Sequence, residues 1–222
     1  MFSHHVDDGL MSVIRRNYEL FALGFVMIIG LLLLLHAYRL RLIVSARTKQ
    51  LKDAREKAEF DARTDPLTGL ANRRCFLEVV NQNLEIIKRQ QLELTLVYID
   101  IDWFKKVNDS FGHAAGDVAL KDIADILKKN TRAADTACRT GGEEFVIVCL
   151  EQEKAGSKFL AERIRKEVEE HVFHYQQQSF SLTVSIGVAS FNGEETVEEV
   201  LHKSDSALYE AKETGRNRVQ YM

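Results

Sequence analysis

The sequence predicts an α/β chain of the α+β sandwich type, one sheet covered by helices, set behind a membrane-spanning helix. Three observations carry that prediction. From residue 73 onward, apolar runs rich in β-formers alternate with segments of helical spacing. A double glycine, Gly141 and Gly142, divides two such runs like the turn of a hairpin. Residues 20–35, LFALGFVMIIGLLLLL, are unbroken apolar sequence.

Composition narrows the class. The 222 residues, 45% apolar and 28% charged, suit one globular domain plus an additional segment. A net charge of −3 implies no basic face for nucleic acid. A single proline, Pro66, excludes Pro-rich linkers. Cys75, Cys138 and Cys149 are odd in number and widely spaced, which fits reduced core thiols of a cytosolic domain rather than a metal site.

Each element follows in order. With its ends at Tyr18 and Tyr38, the first apolar span reaches the roughly 20 residues that a membrane helix needs. A signal peptide is the competing reading, and VSA at 44–46 resembles a cleavage site. However, Arg39 and Arg41 stand where such a peptide is neutral and small. Residues 39–57 carry Arg39, Arg41, Arg47, Lys49, Lys52, Arg55 and Lys57, against Arg15 and Arg16 in residues 1–19. The positive-inside rule therefore puts residues 1–17 outside, 18–38 across the membrane and the C-terminal bulk in the cytoplasm. Residues 39–62 lack Gly and Pro and continue as a helical linker, either a weak two-stranded coiled coil or a solvated charged helix. The DPLTG turn at 65–69 ends it. Helical spacing covers 73–89, 115–130, 154–172 and 196–214. Strands are expected at 94–100, 134–139, 144–150, 180–190 and in the terminal RVQY.

The chemistry concentrates at strand ends. Asp100 closes the apolar run LTLVYID, and Glu143 and Glu144 follow the double glycine. If the hairpin lies beside that strand, these carboxylates converge, which is unfavourable at neutral pH without a compensating cation. Oxygen ligands with no His or Cys set point to Mg²⁺ or Mn²⁺. The glycines suit a tight turn at positive φ and leave room for a bulky ligand against the backbone.

Five blocks occur in order: DPLTGLANRR (65–74), DIDWFKKVNDSFGHAAGD (100–117), RAADTACRTGGEEF (132–145), LTVSIGVAS (182–190) and DSALYEAKETGRNRV (205–219). Together they strongly resemble the GGDEF family of diguanylate cyclases, with Glu at the third position of the signature. The resemblance covers residues 60–222 and makes 63–222 the catalytic domain. It implies a mostly antiparallel sheet of the nucleotidyl-cyclase, palm-like type. It also implies a nucleotidyltransferase that joins two GTP into cyclic di-GMP and two pyrophosphates.

The same resemblance assigns the site. Asp100, Glu143 and the carbonyl of Ile101 would hold two Mg²⁺ or Mn²⁺ ions, and either Glu143 or Glu144 would help deprotonate the attacking hydroxyl. Asp102 is expected to be structural or to orient the site. Asn108 and Asp117 would read the guanine edge, whose N1 and N2 donors suit a carboxylate. Lys212, Arg216, Lys105 and the backbone N–H groups around Trp103 and Phe104 would meet the phosphates. Arg132 and Asp135, in RAAD, stand where the family has its RxxD inhibitory site for cyclic di-GMP, and Arg163 matches a secondary arginine of that site. One site holds one GTP, so the active species is expected to be a homodimer. The setting implied is a bacterial inner membrane, single-pass, with the domain in the cytoplasm. The alternative is a catalytically inactive receptor for GTP or cyclic di-GMP; the intact signature favours catalysis. About 19 residues precede the membrane span, too few for a sensor domain. The input would come from a partner or the membrane, or the chain is the tail of a longer receptor.

Overall fold

A computed structural model of the chain describes residues 4–90, 92–151, 155–191 and 193–222. It contains two units, Met1–Ala58 and Glu59–Met222. The first unit is part of one helix, α1 (His4–Arg63). Its apolar side chains are solvent-facing: Phe21 is 78% exposed and Leu34 70%. Among the described residues α1 is the one helix long and apolar enough to cross a membrane, with a mean hydropathy of 2.6 in its apolar window. The helix does not break between 38 and 39, as the absence of Gly and Pro from the linker led us to expect.

The second unit is built on a six-stranded sheet. Its strands are β1 (Ala71–Asn72), β2 (Glu93–Ile101), β3 (Thr136–Arg139), β4 (Glu144–Glu151), β7 (Val184–Phe191) and β8 (Val219–Tyr221). They lie in the order β1-β3-β4-β2-β7-β8. The central pairings β3–β4, β4–β2 and β2–β7 are antiparallel, and the outer two are parallel. A separate hairpin pairs β5 (Phe173–Tyr175) with β6 (Gln178–Phe180). The helices are α2 (Arg73–Gln90), α3 (Phe104–Phe111), α4 (His113–Asn130), α5 (Ala155–Glu170) and α6 (Val197–Glu213). This is the helix-covered, mostly antiparallel α+β sheet that the sequence predicts.

Side-chain alternation decides which face each strand residue serves. Leu94 and Leu96 of β2 join Val146 and Val148 of β4 in a core with Phe76, Val80, Leu84 and Ile87 of α2 and Val200 of α6. Val97, Ile99 and Ile101 face the other way, with Phe145, Ile147 and residues of α4 and α5. Gly187 of β7 is required by close approach, because a Cβ there would collide with the α6 backbone at Leu208. All three cysteines are free and buried, as expected.

One element is added and two local expectations are corrected. Residues 104–111, for which no element was expected, form α3, and the spacing Phe104, Val107 and Phe111 carries a helical signal. The run 180–190 is not one strand. It divides into β6 and β7 because Thr183 turns to bond Asp102 through both its carbonyl and its hydroxyl. Finally, the left-handed glycines among the described residues are Gly69, Gly112, Gly193 and Gly215, so the signature turn is made without positive φ at Gly141 or Gly142. Space does not demand either glycine: a Cβ on Gly141 would stand 2.5 Å from Oε2 of Glu144, the movable end of a flexible side chain, and one on Gly142 would meet nothing within 4 Å.

Candidate active site

The site lies where β2 ends beside the β3–β4 turn. In the β2–β4 ladder Asp100 is the partner of Glu144, and the N–H of Ile101 donates to the carbonyl of Glu143 at 3.3 Å. Alternation puts Asp100 and Glu144 on the face that α6 covers. There Lys212, in the last turn of α6, reaches Asp100 with Nζ 2.8 Å from Oδ2. Like charges directly opposite on a sheet destabilise it, and Lys212 offsets part of that cost.

The offset is incomplete. Asp100 is only 4% exposed. Burial pushes its carboxyl above the ordinary range, with Glu144 and Asp102 adding to the rise; the hydrogen bond and charge of Lys212 do not cancel it. Glu143 is also pushed up, first by burial and then by the charge of Asp100. Among the described residues no three Asp, Glu, His or Cys side chains gather closely enough to enclose an ion. The donor set nonetheless fits a hard cation of the Mg²⁺ type. Mg²⁺ is usually held by one or two carboxylates plus substrate phosphates rather than by an all-protein cage, and extra positive charge relieves both raised carboxyls.

Asp102, 3% exposed, is a structural tie. Its Oδ1 accepts from the Ser185 hydroxyl at 2.7 Å, and its Oδ2 accepts from Thr183 Oγ1 at 2.7 Å and from the Asn217 N–H at 3.0 Å. That carboxylate joins the end of β2, the start of β7 and the loop after α6. Next to it Trp103 is left-handed, with φ 59° and ψ 26°, and caps α3.

Asn108 of α3 and Asp117 of α4 belong to two helices joined through Gly112. The Asn108 amide packs against Gly116, the residue before Asp117: a Cβ there would overlap the Asn108 amide and press on the Phe104 ring. Asp117, the next residue, is exposed beside this contact. Lys105 stands exposed in the first turn of α3. Arg216 follows Gly215, itself at φ 123°, and its guanidinium lies 4.1 Å from the Trp103 ring centroid.

Arg132 and Asp135 pair at a separate corner, and Arg163 reaches the backbone two residues before Arg132. The Arg132 N–H donates to Asp135 Oδ2 at 3.3 Å, and Arg163 of α5 donates to the carbonyl of Asn130 at 3.1 Å. Burial raises the Asp135 carboxyl, and the Arg132 N–H and charge only partly oppose it. The Arg132 side chain is exposed.

Two functional links were not foreseen in the sequence. Arg139 Nη1 bonds both Asp65 oxygens, at 3.0 and 3.2 Å, while its Nη2 donates to the Gly142 carbonyl at 2.7 Å. It thus ties the turn after α1 to the signature turn. Arg139 opens the RTGGEEF stretch, and its place next to the glycines was the available signal. The second link is the Lys212–Asp100 pair, which puts an expected phosphate contact on an expected metal ligand.

With this geometry in hand, the class is defined by comparison. A family model described as "Diguanylate cyclase, GGDEF domain" matches residues 62–218. The chain belongs to the GGDEF family. It is 42% identical over 160 residues to Diguanylate cyclase A of Treponema denticola, an alignment covering 70% of this chain and 43% of that protein. It is also 42% identical over 170 residues to Diguanylate cyclase DgcP of Pseudomonas aeruginosa, covering 77% of this chain and 25% of that protein. The chain therefore spans less than half the length of these curated relatives. Among solved structures, the coiled coil and GGDEF domain of DgcB from Caulobacter crescentus, in complex with c-di-GMP, aligns with a TM-score of 0.77 at 30% identity. That alignment covers 80% of this chain and 95% of that one.

Proposed function

We propose that the chain is a diguanylate cyclase, condensing two GTP into cyclic di-GMP and two pyrophosphates. The observation that best supports this is the convergence of Asp100, Glu143 and Glu144 at one strand end. There burial leaves two of the carboxyls short of positive charge. In each half of the reaction a ribose 3′-hydroxyl of one GTP attacks the α-phosphate of the other. An O–P bond forms, the bond to the β-phosphate bridging oxygen breaks, and pyrophosphate leaves. Bound Mg²⁺ or Mn²⁺, two per site, supplies acidification of the hydroxyl and neutralisation of phosphate charge.

The chain's own residues do the rest. Asp100, Glu143 and the Ile101 carbonyl hold the ions, and Glu143 or Glu144 takes the hydroxyl proton. Asn108 and Asp117 select guanine, since adenine lacks the N2 donor. Arg216, Lys105 and the N–H groups of Trp103 and Phe104 bind phosphate. Lys212, paired with Asp100 in the free site, would bind phosphate as well if that carboxylate held an ion. Two copies facing each other complete the reaction. A membrane span at 18–38 and a linker at 39–62 raise their effective concentration at the cytoplasmic face of a bacterial inner membrane. Product returning to Arg132, Asp135 and Arg163 inhibits the enzyme.

The test is chromatography of nucleotides after the purified chain meets GTP and Mg²⁺, beside Glu143→Ala. Cyclic di-GMP from the unmodified chain alone is the expected result. No product from either, with tight cyclic di-GMP binding kept, would make the protein a receptor instead.

A further inference from the structure

Trp103 is the sole tryptophan of the chain. Its neighbours Asp102 and Phe104 are buried, yet its own side chain is 54% exposed, so core packing does not account for it. Its backbone is left-handed, a conformation that bulky residues keep only where the surroundings impose it. Facing it are two more left-handed residues in succession, Arg216 at φ 60° and Asn217 at φ 43°. The Asp102 carboxylate holds the second segment through the Asn217 N–H, directly beside Trp103.

The outcome of this double constraint is specific. The Arg216 guanidinium lies 4.1 Å from the indole centroid, and Lys106 Nζ lies 4.0 Å from it. Two like charges gather on one side chain although they repel each other. A π face supplies the attraction, and Trp provides the strongest one among side chains. Arg216 is further tied by a 3.4 Å bond from Nη1 to the Lys212 carbonyl. Cations ordered in advance bind a polyanion without losing that freedom on binding.

We infer that the Trp103 indole is a positioning residue: a π platform that presets Arg216 and Lys106 as a paired phosphate clamp. It acts through these two cations and does not touch the base. The inference rests on the guanine-nucleotide reading above and adds to it the side chain that organises the triphosphate end of the site. It also brings in Lys106, which the sequence did not single out.

The experiment uses the full chain in nanodiscs and measures the affinities for GTP and for guanosine, which has no phosphate. Trp103→Leu should weaken GTP by about 5-fold, the effect of one exposed cation–π contact or two, and leave guanosine unchanged. Trp103→Phe should lose less than about 2-fold, since a π face remains. In a Lys106→Ala, Arg216→Ala background, Trp103→Leu should cost nothing more. Without any nucleotide, that double substitution should shift the emission of Trp103.

Equal weakening of guanosine would overturn the platform in favour of direct stacking on the base. Undiminished cost in the double background, or unchanged emission, would also overturn it. A wild-type chain that binds GTP while Trp103→Leu has no effect removes the platform alone. A wild-type chain that binds neither GTP nor guanosine removes the guanine-nucleotide reading and the platform with it.

Discussion

Two carboxylate–cation bridges in this domain look alike and behave oppositely. Asp65 meets Arg139 at the exit from α1, and Asp100 meets Lys212 at the end of β2. Burial pushes the Asp65 carboxyl up, but hydrogen bonds from Thr68 and Arg139 outweigh it and hold it below its ordinary value. The Asp100 contact is shorter, at 2.8 Å, yet its carboxyl stays above the ordinary value. The difference is in the surroundings. Asp65 accepts from the Thr68 N–H, the Thr68 hydroxyl and Nη1 of the Arg139 guanidinium, which reaches both carboxylate oxygens. Asp100 is more deeply buried and shares its ammonium with neighbouring carboxylates. A bridge whose lone pairs are satisfied stabilises the fold; one left short of positive charge marks a place where a ligand supplies the remainder.

The largest test of that contrast is Asp100→Asn. Cyclic di-GMP formation should fall by on the order of 10³-fold, since charge stabilisation at the reacting phosphate is usually the largest single contribution to catalysis. The melting temperature should hold or rise, because a buried, incompletely paired charge has been removed. A clear loss of thermal stability would erase the distinction between the two bridges.

Asp65→Asn should do the reverse in stability. It removes charge-assisted hydrogen bonds from a largely buried bridge and should cost about 2 kcal/mol in denaturant titration. The sign with pH follows from the depressed carboxyl. The contribution of Asp65 is fully present above the unfolded value, near pH 4, and is lost as pH falls through the lower folded value. Asp100 has the opposite slope, because its folded carboxyl binds a proton more readily than the unfolded one. Stability measured against pH for wild type, Asp65→Asn and Asp100→Asn should therefore give variant curves that approach the wild-type curve from opposite sides on acidification, Asp65→Asn from below it and Asp100→Asn from at or above it. Parallel curves would mean that the two carboxyls share one environment.

The smallest effect on rate is expected away from both bridges. Arg132→Ala should leave the initial rate within about 2-fold while raising the product concentration needed for inhibition by about 10-fold, the worth of one forked charge-assisted contact. Retained inhibition would take the RAAD corner out of regulation.

Much of this was legible in advance. Asp100, Glu143 and Glu144 stood out because several carboxylates brought together are unfavourable without a cation, and because they fall within the ordered blocks of the family. The β2–β4 pairing then set Asp100 opposite Glu144. The Asn108 and Asp117 helices were half legible: α4 was expected and α3 was not, although their contact depends on a glycine plainly visible at 116. The break between β6 and β7 was not legible, because its cause is a hydrogen-bonding partner, Asp102, that lies far away along the chain.

What the sequence alone determined is local and periodic. Alternation set which face of the sheet each residue serves, the apolar run set the membrane-length helix, and five ordered blocks set the family. Only the tertiary structure decided who meets whom. It put Lys212 on Asp100, Arg139 between Asp65 and Gly142, and two cations on Trp103. The reason is physical. Periodicity is fixed by backbone geometry within a few residues, whereas these contacts depend on strand order and helix docking, which bring distant segments within hydrogen-bonding range.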